Sequence, residues 1–277
     1  MEPRYKYGVL GAGAVGASLV GRLPSRTRDL GPVSASSYRV ASRIANTLRA
    51  GYPVRTADEL NAVPGVLFHA PPDHAAGLLG ILEKAAIDWK GKALVFCDCV
   101  IDQAVRQRFK VRGASTAVVR QFAIPGRIIV EADRGSAARS DVALQTVHRI
   151  ARELRMKAVP IAPGSEHAFD AAMTLGSAAI TPLIDRAAAL LRDAGIRGIE
   201  AAQLASSLFE QTARDFAHSG KQSWAWYVRK PPVESLKAQI TAGGPRLEPV
   251  LRQLVTFGLE SFRKHAEVAA ELGHKPE

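Results

Sequence analysis

The stretch Tyr5-Lys6-Tyr7-Gly8-Val9-Leu10-Gly11-Ala12-Gly13-Ala14-Val15-Gly16 decides the fold. Tyr5–Leu10 reads as a strand, and Ala14–Leu23, stopped by Pro24, reads as the helix that follows it. A GxGxxG pattern alone says little, but between a strand and a helix it reads as a loop for the diphosphate of a dinucleotide. Gly11 is expected to permit the tight turn, Gly13 to let the backbone approach the diphosphate, and Gly16 to let the helix pack on the strand. Ala14 and Val15 would add free N–H groups at the positive end of the helix dipole.

The residues that follow refine the ligand. A site for the unphosphorylated dinucleotide carries Asp or Glu about 20 residues further on, against the ribose 2′-hydroxyl. No acidic residue occurs from Gly31 to Ile44, and that stretch offers Ser36, Ser37, Arg39 and Arg43 instead. Guanidinium groups suit a 2′-phosphate through paired hydrogen bonds. The expected cofactor is therefore NADP, with NADPH preferred over NADH and with Ser37, Arg39 and Arg43 among its contacts.

Short apolar runs go on alternating with helical segments. Strands are expected at Val33–Ser37, Val54–Arg55, Val66–His69, Ala93–Cys97, Thr116–Val119, Arg127–Glu131 and Ala158–Ile161. Helices are expected at 40–50 and 74–85, and where Val142, Val147, Ile150, Ala151 and Leu154 share one face. This order predicts an α/β fold, with a Rossmann-type, doubly wound parallel sheet over residues 1–162. Strand-like alternation then ceases, and residues 163–277 read as helices at 167–194, 200–219, 232–241 and 246–272. The first and last are apolar over a wide arc, which predicts burial on more than one side. A single compact bundle would satisfy that burial as well; the expectation is an all-helical dimerisation domain in the C-terminal part, and a homodimer.

With 277 residues, 47% of them hydrophobic, the chain can build ordinary cores. It has no apolar run of ~18 residues, so no membrane partner is expected. Met1 leads almost directly into a strand without the regions of a secretory leader, and a cytoplasmic location is the expectation. Cys97 and Cys99 read as small buried hydrophobes on one face of a strand, with too few neighbouring ligands for a metal. The net charge is +11, but Arg and Lys are scattered over every helix and aromatics make up only 6%. That reads as a solvated basic surface, not a nucleic-acid stripe.

In the order of its features the chain resembles the pyrroline-5-carboxylate reductase family, within the wider group of 6-phosphogluconate-dehydrogenase-like enzymes. The resemblance rests on GVLGAGAVGASL at Gly8–Leu19, VLFHAPPDH at Val66–His74, VVRQFAIPG at Val118–Gly126, the long segment Phe169–Ile196, LFEQTARDFAHSG at Leu208–Gly220, and the stretch from Ser235 onward. It implies that Ala70 and Pro71 join the cofactor site, in the place of the family's Val-Lys-Pro-Gln turn. It also implies that Thr241, Gly243, Gly244 and Arg246 stand where the family binds a substrate carboxylate. There the family's two threonines are missing, Arg246 offers a guanidinium, and Pro245 removes an N–H.

Hydride transfer asks little of side chains beyond positioning, but reduction of an imine also needs a proton for nitrogen. Ser177, Thr212 and His167 are the candidates, with Thr174, Thr181 and Tyr227 behind them; a helix hydroxyl also commonly bonds its own backbone. The lysine that hydroxyacid dehydrogenases of this group carry in the dimer helix is absent from His167–Ile184. The resemblance therefore implies an NADP-dependent oxidoreductase acting on a C=N or C=O bond of a small, carboxylate-bearing substrate. The alternative is a non-catalytic dinucleotide sensor on the same fold, suggested by the altered substrate motifs.

Overall fold

The computed structural model describes residues 4–99, 101–120, 125–131, 141–162, 164–224, 229–262 and 265–273. Tyr227 lies outside them, as do residues 121–124 of the VVRQFAIPG segment. The chain folds into two compact units, Met1–Asp170 and Ala171–Glu277.

The first unit is built on one eight-stranded sheet. Its strands are β1 (Tyr7–Gly11), β2 (Leu30–Ser34), β3 (Tyr52–Pro53), β4 (Gly65–His69), β5 (Ala93–Cys97), β6 (Ser115–Arg120), β7 (Arg127–Glu131) and β8 (Lys157–Ile161). They lie in the order β3-β2-β1-β4-β5-β6-β7-β8. Every neighbouring pair is parallel except β6 and β7, which run antiparallel. The first six strands follow the doubly wound order of dinucleotide-binding sheets, whose winding reverses between β1 and β4.

Side chains alternate between two cores. Val9, Leu67, Val95, Ala117 and Val119 point to one face, with helix α6 (Val142–Glu153) among its covers. Leu10, Val66, Phe68, Leu94 and Phe96 point to the other, under α4 (Pro72–Lys84) and α5 (Gln103–Val111). Central strands buried on both sides read as continuous apolar runs, which is why the sequence exposes them.

Several local expectations are corrected. The helix expected over Ala14–Leu23 is a 3-10 turn, Val15–Ala17, followed by a single turn of α-helix, α1 (Leu19–Arg22). The break falls at Ser18, which is extended (φ −76°, ψ 179°); its hydroxyl donates to the Val15 carbonyl at 2.6 Å and accepts from the Val20 N–H at 3.2 Å. Serine favours a cap of this kind over a helix interior, and glycines at 16 and 21 weaken the helix further. Strand β2 ends at Ser34 instead of Ser37, because Ser37 caps the next helix, α3 (Tyr38–Leu48). Cys97 and Cys99 do not share a face: Asp98 has φ +57°, and this left-handed residue puts Cys97 in one core and Cys99 in the other. A further one-turn helix, α2 (Arg26–Asp29), lies before β2.

The expected 167–194 helix is two helices, α7 (Glu166–Gly176), which runs across the boundary at Asp170, and α8 (Ile180–Asp193) in the second unit. The Ala179 N–H donates to the Thr174 carbonyl at 2.9 Å, so the regular i→i−4 ladder is interrupted at Gly176–Ala179. Helix α9 (Ile199–Ser219) follows, then α10 (Val233–Ala242) and α11 (Gly244–Ser261). Chain beyond Ser261 forms a separate α12 (Ala266–Gly273), with His265 at φ +52° before it. A small core of Leu236, Ile240, Leu259, Val268, Ala269 and Leu272 joins α10, α11 and α12. Helix α9 buries only Ala201 and Ala205, and α8 only Ala188.

Candidate functional site

The glycine loop lies at the point where the winding of the sheet reverses. Gly11, the last residue of β1, is in register with His69, the last residue of β4, and the Ala12 N–H donates to the His69 carbonyl at 2.9 Å. The chain turns at Gly13 and not at Gly11: Gly13 has φ +69°, and a Cβ there would meet the Pro71 ring at 2.9 Å. A Cβ at Gly16 would meet the Thr47 methyl of α3 at 2.8 Å, and one at Gly11 would meet Val15 Cγ2 at 3.0 Å. Val15 is buried beneath the turn, and its N–H donates to the Gly13 carbonyl. Among the described residues, the N–H groups of Gly13 and Ala14 have no hydrogen-bond partner. Two free amides over a surface with no room for side chains fit a diphosphate. The helix dipole adds little here, because the following helix is one turn long and starts only at Leu19.

Ser37 accepts the Val40 N–H at 3.4 Å, so its hydroxyl serves as the N-cap of α3. Arg39 and Arg43 are one helical turn apart and both exposed. The whole of Leu30–Ala57 lacks an acidic residue, so these guanidinium groups have no carboxylate nearby in the chain. Arg55 lies over the Tyr38 ring at 5.2 Å from its centre.

On the other side of the loop, Ala70 is buried, and Pro71 and Pro72 start α4. Half-buried His69 has its Nδ1 3.1 Å from the Cys97 carbonyl oxygen, which ties β4 to β5 at their carboxyl ends. Burial pushes both thiols up, Cys99 to about 12, although Cys99 also accepts from the Ala70 N–H. Both sulfurs stay protonated and neither is a nucleophile. Nearby in the same unit are two ion pairs that sequence reasoning missed and that no local pattern signals. Arg106 of α5 pairs with Glu131 of β7 at 2.7 Å, both buried, and Arg120 of β6 pairs with Asp170. Glu131 also accepts the Gly164 N–H at 3.0 Å. Among the described residues, no three His, Cys, Asp or Glu side chains are grouped to hold a metal.

The remaining candidates lie on helices. His167 is exposed in the first turn of α7. The Ser177 hydroxyl donates to the Met173 carbonyl, and the Thr212 hydroxyl to the Leu208 carbonyl at 2.9 Å. Thr174 and Thr181 are exposed, and Thr181 donates to the Ser177 carbonyl at 3.2 Å. Thr241 is exposed in the last turn of α10, and Gly244 (φ +73°) opens α11. Gly243 and Arg246 line one groove of about 550 Å³ between α8 and α11, with Pro182, Leu183, Leu190 and Leu247. Ser177, Thr212, Thr241 and Gly244 are not among its lining residues.

A sequence family described only as a domain of unknown function, DUF2520, matches residues 135–225. None of the curated proteins matches the chain. Solved structures match it over nearly its whole length. An imine reductase from Aspergillus terreus, in complex with NADPH4 and dibenz[c,e]azepine, is 15% identical with a TM-score of 0.59, over 98% of this chain and 92% of that one. An imine reductase variant from Myxococcus stipitatus, in complex with NAD+, is 16% identical with a TM-score of 0.59, over 98% and 91%. The Streptomyces aurantiacus imine reductase is 18% identical with a TM-score of 0.57, over 96% and 92%. The chain therefore has the fold of these reductases, a Rossmann-type α/β unit followed by a helical one.

Proposed function

We propose that the protein is an NADP-dependent oxidoreductase that reduces a C=N (or C=O) bond of a small, carboxylate-bearing substrate. The observation that carries this is the Gly13–Ala14 turn, with two unpartnered amides at the reversal point of the sheet and no room for a Cβ against Pro71. The reductases named above, two of them solved with nicotinamide nucleotides, support it. When bound, the reduced nicotinamide supplies hydride.

The chain's own part is to bind, orient and protonate. The amides of Gly13 and Ala14 would hold the diphosphate, on a surface shaped by Gly11, Val15 and Gly16 and closed by Ala70 and Pro71. Arg39 and Arg43, with Ser37 at their helix start, would take the 2′-phosphate. Arg246 is the candidate for the substrate carboxylate, with Thr241, Gly243 and Gly244 beside it in sequence. Ser177, Thr212 and His167 are the candidates to give a proton to the substrate nitrogen. Either hydroxyl would first have to leave its helix carbonyl. Residues 1–162 then serve as the cofactor domain, and 163–277 as the substrate domain and the interface of a homodimer.

The test is fluorescence titration with NADPH, followed by NADPH consumption across a panel of cyclic imines and ketoacids. Turnover supports the reductase. Tight NADPH binding with no turnover on any of them leaves a nucleotide sensor, and no binding ends both readings. Arg39→Ala is expected to weaken NADPH binding about tenfold while leaving NADH unchanged. Equal binding of both nucleotides by the wild type would remove the NADP assignment.

A further inference from the structure

We infer that His69 reads the nicotinamide end of the cofactor, its Nε2 accepting a hydrogen bond from a carboxamide N–H. The inference rests on the dinucleotide reading above. Along the carboxyl edge of the sheet stand, in order, Arg39 and Arg43 after β2, the Gly13–Ala14 turn after β1, His69 ending β4, and the Cys97 carbonyl ending β5. Neighbouring strands are about 4.8 Å apart. A dinucleotide with its 2′-phosphate beyond β2 and its diphosphate beyond β1 extends its nicotinamide half toward β4 and β5. The His69 ring is turned to that side, because its Nδ1 meets the Cys97 carbonyl at 3.1 Å.

That contact also fixes the chemistry of the ring. A carbonyl oxygen only accepts, so Nδ1 carries the hydrogen, and in the neutral ring Nε2 presents a lone pair. Nε2 has no hydrogen-bond partner among the described residues and is not sealed from solvent. The main chain holds the residue as well: its carbonyl accepts the Ala12 N–H, and the next residue, Ala70, is buried. An outward lone pair on a fixed ring accepts from an N–H or O–H donor. On the nicotinamide ring the carboxamide is the group that carries one, and the ribose hydroxyls are the same whether or not the carboxamide is replaced.

The experiment compares dissociation constants of the full-length protein for NADP+ and for its 3-acetylpyridine analogue, in which a methyl ketone replaces the carboxamide. The ketone keeps the carbonyl oxygen and loses the N–H. Wild type is expected to prefer NADP+ by about tenfold. His69→Asn keeps a donor for the Cys97 carbonyl and removes the outer acceptor, so the preference should fall to within about twofold. His69→Gln offers an oxygen at the outer position and should retain part of it. An unpreferring wild type, or an undiminished preference in His69→Asn, overturns the inference. Should His69→Asn bind neither nucleotide, the ratio in His69→Gln decides: lost or partial supports, unchanged overturns. Failure of the wild type to bind either nucleotide would instead overturn the proposed function, and this inference with it.

Discussion

The two units place their apolar residues differently. In the first, the strands β1, β4, β5 and β6 are walled in on both faces, and Leu67, Phe68, Leu94, Val95 and Phe96 have no exposed surface at all. In the second, helix α9 runs for 21 residues and buries only two alanines, while Ile199, Leu204, Leu208 and Phe216 remain exposed on it. Leu175, Leu254 and Phe257 are exposed on other helices of that unit. A wide exposed apolar surface on a helix is stable when something covers it, whereas a two-faced sheet supplies its own cover. The first unit is thus built to keep a site rigid by itself, and the second fits the proposed homodimer.

That contrast can be broken at several points. The largest effect is expected in the sheet, where Leu67→Ala should cost about 3–5 kcal/mol in urea unfolding, since its cavity has no room to collapse. Gly13→Ala should cost about 1–3 kcal/mol from left-handed strain and contact with Pro71, and it should abolish NADPH binding by calorimetry. Retained binding would show that the turn is not the cradle.

Asp29 gives a smaller, pH-dependent effect. The side-chain hydrogen bond from Arg28, joined by Lys6, holds its carboxyl down at about 2. A depressed carboxyl contributes stability above its unfolded value of about 3.9, and that stability is lost as pH falls through the folded value. Both cations reach solvent, which screens the gain, so unfolding free energy should drop by only about 1 kcal/mol on acidification. Asp29→Asn should remove that step. Smallest for the isolated chain is Leu208→Ser on the exposed face of α9, expected within about 0.5 kcal/mol. Its visible result should be a fall in mass by light scattering, and an unchanged mass would detach that face from the dimer.

Much of the fold is legible in the sequence for physical reasons. Parallel strands buried on both sides announce themselves as apolar runs, and the glycine loop is fixed by local backbone demands. What stays hidden depends on distant partners or on weak local preferences. Helix α5 reads QAVRQRFKV, mostly polar, and buries Arg106 and Phe109; only Glu131 on β7 explains that arginine. The interruptions at Ser18 and Gly176–Ala179 lie inside well-patterned apolar stretches, where the side-chain period survives although the backbone ladder does not. His69 is legible as the end of a strand. Its tie to Cys97 is not, because the two are 28 residues apart and meet only through the sheet.

The shape of the glycine turn has one more consequence. What presses on it is carbon: the Pro71 ring, the Thr47 methyl and the Val15 side chain. Salt does not screen contacts of that kind, whereas it weakens attraction between arginines and phosphate oxygens. Raising salt will therefore loosen the grip on a charged guest without unmaking the receptacle, and the uncharged part of recognition will survive in brine.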